Sequence, residues 1–201
     1  MSAPIILTDC DGVLLNWRDP FDAWMMREHN IFAEGDVRVY DQQERYDNPD
    51  IFKYVLSFNQ SANIGFLPPL YDSVAYVKKI HECLGFKFTV ITSLSLNPYA
   101  QKLRTQNLER VFGSEVFDEF VYLDTAADKD DILAEFAGFY PEAYWIEDKV
   151  KNAIAGKECG LESILMKHPH IKLENTEGTV SYTHLRAHET KANLVCRLLL
   201  E

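Results

Sequence analysis

No apolar stretch in this chain approaches the ~20 residues a membrane-spanning helix needs, and the N-terminus has neither the basic segment nor the apolar core of a signal peptide. The expected compartment is the cytoplasm, with no membrane partner. Cysteine is scarce: four residues, Cys10, Cys83, Cys159 and Cys196, with no CxxC spacing, which implies neither a disulfide scaffold nor a zinc site. Basic residues are in deficit, 20 Lys and Arg against 31 Asp and Glu, for a net charge of −11. Binding to a polyanion rests on clustered Lys and Arg, so no nucleic-acid polymer is expected as a partner. What remains is ordinary for a globular protein with one core domain: 201 residues, 47% hydrophobic and 25% charged.

The most unusual feature lies at Ile5-Ile6-Leu7-Thr8-Asp9-Cys10-Asp11-Gly12. An apolar run that reads as a buried parallel strand ends in two carboxylates two positions apart, and such strands place ligands outside their carboxyl ends. In extended backbone, side chains two apart share a side, so Asp9 and Asp11 are expected to face one small volume and Cys10 to turn away from it. Gly12 lets the chain turn sharply. Carboxylates held that close raise each other's pKa unless a cation lies between them. The competing reading is an Asp-rich turn after a strand. Cys10 as a nucleophile is set against a small packed thiol, which is preferred.

Further along, the chain alternates. Asp19-Pro20 and Asn48-Pro49 each read as a polar cap followed by proline at the first helical position, giving helices over about 20–30 and 49–60. Residues 71–84 carry Val74, Val77, Ile80 and Leu84 on helical spacing, with Gly85 as the stop. Strand and helix then alternate over 86–92, 97–111, 118–123, 129–138, 142–147, 149–158 and 161–166. Right-handed crossovers and a doubly wound parallel sheet follow, with the strand ends on one edge.

Three of those strands are also followed by chemistry-bearing polar residues, and the last repeats the acids of the first. Phe88-Thr89-Val90-Ile91-Thr92-Ser93 ends in hydroxyls, Lys129 follows Phe120-Val121-Tyr122-Leu123, and Ala143-Tyr144-Trp145-Ile146-Glu147-Asp148 ends in an acidic pair followed by Lys149 and Asn152. In this order, Asp-x-Asp-Gly-Val-Leu and the three later elements resemble the haloacid dehalogenase superfamily of phosphohydrolases over about residues 4–167. The resemblance implies an α/β, Rossmann-like core (1–15 and 71–178) and a small helical cap inserted after the first strand (16–70). It also implies a phosphatase.

By that resemblance, Asp9 attacks phosphorus to give an aspartyl-phosphate. Asp11 protonates the leaving oxygen, and its backbone carbonyl binds the metal. Thr92, or Ser93 beside it, holds a phosphate oxygen, and Lys129 neutralises charge on the transferring group. Asp148 completes the metal shell with Asp9, Glu147 acting directly or through water, and the oxygen-only ligand set suits magnesium. Blander readings stand beside these. Thr92 and Ser93 could cap the next helix, Lys129 could be one solvated member of a charged helix start, and Asn152 could only pack behind its loop.

The cap segment carries ten of the chain's 25 aromatic residues: Trp17, Phe21, Trp24, Phe32, Tyr40, Tyr46, Phe52, Tyr54, Phe58 and Phe66. Most are expected to be its own core, leaving one or two to stack on a planar ring of the substrate. The early cap and Gly65-Phe66-Leu67-Pro68-Pro69-Leu70 are similar to 5'(3')-deoxyribonucleotidases. The expected substrate is thus a small phosphorylated metabolite, with nucleoside monophosphates the leading class. Phosphomutases or other phosphotransferases use the same motifs, and a catalytically dead binding module is the non-enzymatic alternative. His168-Pro169-His170 reads as a loop and not a ligand pair. Residues 179–201 resemble a peptide translated from sequencing-adapter read-through; no function is assigned to His184 or His188, and the native ending beyond about Gly178 is expected to be missing.

Overall fold

The computed structural model describes residues 3–35, 41–166 and 168, and the backbone of 180–182. Tyr40, His170, His184, His188 and Cys196, named above, lie outside the described residues. Six parallel strands form one sheet in the order β3-β2-β1-β4-β5-β6. They are β1 (Ile5–Thr8), β2 (Lys87–Ser93), β3 (Phe117–Leu123), β4 (Tyr144–Glu147), β5 (Glu162–Met166) and β6 (Val180–Tyr182). The edge strand β6 belongs to the segment set apart above as adapter-like.

The crossovers are α4 (Ser73–Leu84), α5 (Pro98–Phe112), α6 (Asp130–Phe139) and α7 (Val150–Glu158), preceded by α1 (Arg18–Trp24), α2 (Gln42–Tyr46) and α3 (Ile51–Asn59) between β1 and α4. Their ends follow local chemistry. The Asn97 side chain accepts from the Tyr99 N–H ahead of Pro98 at the start of α5. Gly85, at φ +73°, closes α4 in the left-handed conformation.

The sheet separates two apolar layers, and β1 shows how. Ile6 packs with Phe88, Val90, Leu108 and Phe112 on the side of α5, while Ile5 and Leu7 pack with Leu133, Phe136 and Trp145 on the side of α6 and α7. This period-two alternation in a fully buried strand decides where the next residues go. Close approach of α7 to the sheet is set by Gly156, where a Cβ would lie 2.3 Å from Trp145 Cδ1.

Helices in the segment after β1 start differently from the sequence expectation. Pro20 falls in the third position of α1, whose flanking residue is Trp17; proline is still tolerated there because the first-turn N–H groups have no intrahelical partner. Asn48 accepts from the Asp50 N–H at 2.9 Å and α3 begins at Ile51, so Asn48-Pro49 forms the turn before the helix. Past Trp24 the first helix widens into a π turn, Met25–His29, that ends at Asn30 with φ 54°. The unforeseen α2 is capped by Asp41, which accepts from the Gln43 and Glu44 N–H groups.

Phe21, Trp24, Tyr46 and Phe58 are buried with Trp17 in one aromatic cluster, Phe21 stacked on Trp17 at 4.5 Å between centroids. Phe32, Phe52 and Phe66 stay exposed. Each buried ring contributes about 1.5–3 kcal/mol of burial free energy, enough to hold short helices that would be marginal alone.

Candidate active site

The carboxyl ends of β1, β2, β3 and β4 meet on one edge of the sheet. Asp9 is the first residue past β1, and its N–H still donates to Ile146 O at 2.8 Å, so its position is fixed by the sheet. Continuing the alternation of Ile5 and Leu7, its side chain points to the α6 face, where Lys129 immediately precedes the helix. Lys129 Nζ lies 2.8 Å from Asp9 Oδ1 and 2.9 Å from Glu147 Oε2, with all three residues buried.

Glu147 is saturated. Its Oε1 accepts the N–H groups of Asp148 at 2.9 Å and Lys149 at 3.0 Å, and its Oε2 accepts from Lys129 and from Asn152 Nδ2 at 2.9 Å. Burial opposes its ionisation, but Lys129 and these N–H donors win and hold it at about 2. Burial, reinforced by Glu147, pushes Asp9 up to about 7 against the pull of Lys129. Lys129 is also buried, yet the two carboxylates keep it protonated.

Asp148 completes the cluster. Burial, then Glu147 and Asp9, raise it well above the usual carboxylate range. Its Oδ1 is buried with no hydrogen-bond partner, and one ligand oxygen from each of Asp9, Glu147 and Asp148 lies within 4.8 Å of the others. An unpartnered buried carboxylate oxygen beside two more acids suits a hard cation. Gly12 makes room: at φ +82°, a Cβ there would lie 2.1 Å from Asp148 Oδ2.

Asp11 does not join this cluster, contrary to the shared volume expected from i, i+2 spacing. The strand ends at Thr8, and Cys10 O accepts the N–H groups of Leu14 and Leu15 as the chain turns back, so strict alternation stops. Cys10 and Asp11 both reach the α5 face. Arg104 Nη1 there donates to Asp11 Oδ1 and to Cys10 Sγ at 2.8 Å. Cys10 is fully buried and its thiol is pushed up to about 12 by that burial, which fits a packed thiol and not a nucleophile.

No protein-family model matches the chain. An uncharacterized 32.4 kDa protein of enterobacteria phage T4, from the Gp30-rIII intergenic region, is 25% identical over 154 residues, 72% of this chain. The chain spans about half the length of that relative, 54%. Several solved structures superpose over nearly the whole chain. A haloacid dehalogenase-like hydrolase from Streptococcus pneumoniae matches at TM-score 0.63 and 12% identity, covering 90% of this chain and 94% of its own. CbbY from Rhodobacter sphaeroides in complex with phosphate matches at 0.57 and 20%, covering 90% and 93%. A D,D-heptose bisphosphate phosphatase from B. bronchiseptica, complexed with magnesium and phosphate, matches at 0.51 and 13%, covering 98% of each. The chain has the haloacid dehalogenase fold.

On the haloacid dehalogenase fold of this chain, the strand ends open into a cavity of about 630 Å³ beneath the helices that follow β1. Its floor includes Asp11, Gly12, Ser93, Thr125 and Asp148; Trp17, Asp22, Gln42, Phe52 and Asn59 line the opposite wall. Of the two hydroxyls at the end of β2, Ser93 lines the cavity and donates to Ala127 O at 2.8 Å, whereas Thr92 is buried beneath it. Among the described residues, no helix is long and apolar enough to cross a membrane.

Sequence reasoning missed two residues. His168 closes one side of the cavity, its Nε2 donating to Gly12 O at 2.6 Å, and a loop residue with no periodic context gives no signal for that. Arg104 did leave a trace: Ala100, Arg104 and Leu108 fall on one i, i+4, i+8 stripe of α5, and all three are buried.

Proposed function

We propose that this protein is a magnesium-dependent phosphomonoester hydrolase that works through an aspartyl-phosphate on Asp9. The observation that carries the reading is the buried Asp9–Lys129 pair beside the unpartnered Asp148 Oδ1. It joins a nucleophile, a fixed cation and a free ligand oxygen. In this reading Asp9 forms a bond to phosphorus as the bond to the leaving oxygen breaks, and Asp11 gives its proton to that oxygen. Water then attacks phosphorus, its proton passes to Asp11, and the bond to Asp9 breaks to release phosphate.

Lys129 neutralises charge on the transferring group, held in place by Glu147, which is a positioning residue here because its own lone pairs are already used. Ser93, on the cavity floor, is better placed than Thr92 to bind a phosphate oxygen, by turning its O–H from Ala127 O to the substrate. Asp9, Asp148 and the Asp11 backbone carbonyl would hold magnesium, which when bound supplies charge screening between Asp9 and an anionic substrate. The T4 relative is uncharacterized, so support from known proteins comes from neighbours that bind phosphate, one of them with magnesium.

For the leaving group, a nucleoside of a 5'-monophosphate is the reading supported best. The cavity has the volume of a small-ligand site. Its wall combines the rings of Trp17, Phe52 and Tyr71 with the amides of Asn16, Gln42 and Asn59, which suits a flat, hydrogen-bonding group. Phosphate release from nucleoside monophosphates and sugar phosphates, with and without magnesium and with Asp9→Asn, tests both levels. Magnesium-dependent turnover abolished by Asp9→Asn is expected, with nucleotides turned over faster. Absence of magnesium-dependent turnover on every phosphoester would overturn the reading.

A further inference from the structure

Arg104 is the least explained charge in the molecule. It is 0% exposed, and its Nε and Nη2 have no hydrogen-bond partner. Removing a guanidinium from water is expensive unless an anion compensates it, and a buried cation that loses its partner is strongly destabilising. The carboxylate it meets is Asp11, whose side chain is 27% exposed and lines the cavity. Around this pair stand Cys10 Sγ, 2.8 Å from the same Nη1, and the Tyr122 hydroxyl, itself bonded to Thr105 Oγ1 at 2.8 Å. None of them brings a second acid.

The contact is one-pronged. Only Nη1 reaches Asp11, and only at Oδ1, so Oδ2 has no hydrogen-bond partner among the described residues. Asp9 is meanwhile held by Lys129 on the opposite face of the sheet. Two carboxylates two residues apart are thus assigned to two cations on two layers of the fold, one from α5 and one from the start of α6.

We propose that Arg104 is a positioning residue for Asp11: anchored in the core of α5, it fixes Oδ1 so that Oδ2 is presented at the cavity wall to the leaving-group oxygen. The inference rests on the phosphohydrolase reading and deepens it, because it separates the steps. Proton transfer between Asp11 and the leaving oxygen depends on Arg104; attack by Asp9 on phosphorus does not. A good leaving group departs without a proton, whereas an alkoxide takes one from Asp11 as its bond to phosphorus breaks. Removing the anchor therefore penalises alkyl esters selectively.

The test compares p-nitrophenyl phosphate with glycerol 2-phosphate as probes, using the full chain with magnesium. Arg104→Met is expected to lower kcat on the alkyl ester by about tenfold to a hundredfold, within the range general acid catalysis supplies, and on the aryl ester by less than about threefold. In an Asp11→Asn background, Arg104→Met is expected to change neither rate further, because the residue it positions can no longer donate. Arg104→Lys keeps the buried charge with a shorter reach and is expected to fall between wild type and Arg104→Met in the alkyl-to-aryl ratio. It also serves if Arg104→Met does not fold. Equal losses on both esters, or a further loss in the Asp11→Asn background, would assign Arg104 to the fold alone and overturn the proposal. A wild type inactive on both esters would overturn this proposal, and the phosphohydrolase reading would fall with it only where nucleoside monophosphates and sugar phosphates are not turned over either.

Discussion

Cation-linked stability tests the Asp9–Glu147–Asp148 cluster directly. Asp9 is held at about 7 by burial and by Glu147, against an ordinary 3.8, and Asp148 is raised well above its ordinary range. Between the unfolded and folded values the native state keeps a proton that the unfolded chain has released, so stability falls as pH rises through that window. Each group contributes up to about 1.4 kcal/mol per pH unit. From pH 5 to 7 Asp9 alone removes about 2–3 kcal/mol, or roughly 4–12 °C of Tm at about 2–4 °C per kcal/mol for a chain of this size. Glu147, held at about 2 against an ordinary 4.5, acts in the opposite sense, its stabilisation being lost only as pH falls below that ordinary value, outside the window. In the proposed site magnesium would displace the protons on Asp9 and Asp148, so its stabilisation is expected to grow with pH; at about a hundredfold excess over its Kd it would reach about 2.7 kcal/mol.

Thermal unfolding followed by circular dichroism from pH 5 to 8, with and without about 10 mM magnesium chloride to saturate the site, reads both effects. Asp148→Asn sharpens the test through a change of sign. Without magnesium the variant is expected to melt above wild type near pH 7.5, because it removes an acid whose charge burial, Glu147 and Asp9 all oppose. With magnesium it is expected to melt below wild type, having lost a ligand. A magnesium shift of equal size at pH 5 and 8, or undiminished in Asp148→Asn, would refute the cation site.

Two further outcomes follow from the packing. Lys129→Met removes the cation shared by Asp9 and Glu147; it is expected to cost about 3–5 kcal/mol in a urea unfolding titration and about a hundredfold or more in phosphate release. Gly156→Ala places a methyl group 2.3 Å from Trp145 Cδ1, and is expected to lower stability by about 1–3 kcal/mol through overpacking, read as a drop in Tm of several degrees while the magnesium shift is retained.

The repeating elements were legible because their signals are local. Apolar runs such as Phe88–Ile91 and the helical stretch over 97–111 place strand and helix within a residue or two of their observed bounds, and the order of strand-end residues brings Asp9, Ser93, Lys129 and Asp148 to one edge. What was not legible depends on three-dimensional departures from regularity. Alternation holds through Cys10, which turns away from Asp9 as expected, and fails at Asp11, where the backbone turns, so the period-two argument put Asp11 on the wrong face. Glu147, expected from sequence to act on a metal directly or through water, also accepts from Lys129, Asn152 Nδ2 and two backbone N–H groups, partners recognisable only once the turn after β4 is folded.

The join between the helices after β1 and the strand ends follows the same logic of backbone groups finding partners. Leu94, directly after Ser93, has a carbonyl that leaves the sheet ladder, and it accepts from Asn59 Nδ2 at 3.1 Å and from Thr125 Oγ1 at 2.5 Å. Asn59 Oδ1 in turn accepts from Trp17 Nε1 at 2.9 Å. One buried carbonyl thus ties α3, the residue that precedes α1 and the loop after β3 to the residue that floors the cavity. A buried amide that loses such a bond costs about 1–3 kcal/mol, so these helices are registered over the strand ends by directional bonds as well as by apolar contact. The cavity wall is therefore built on the same anchor as its floor, and a change at Asn59 reaches both.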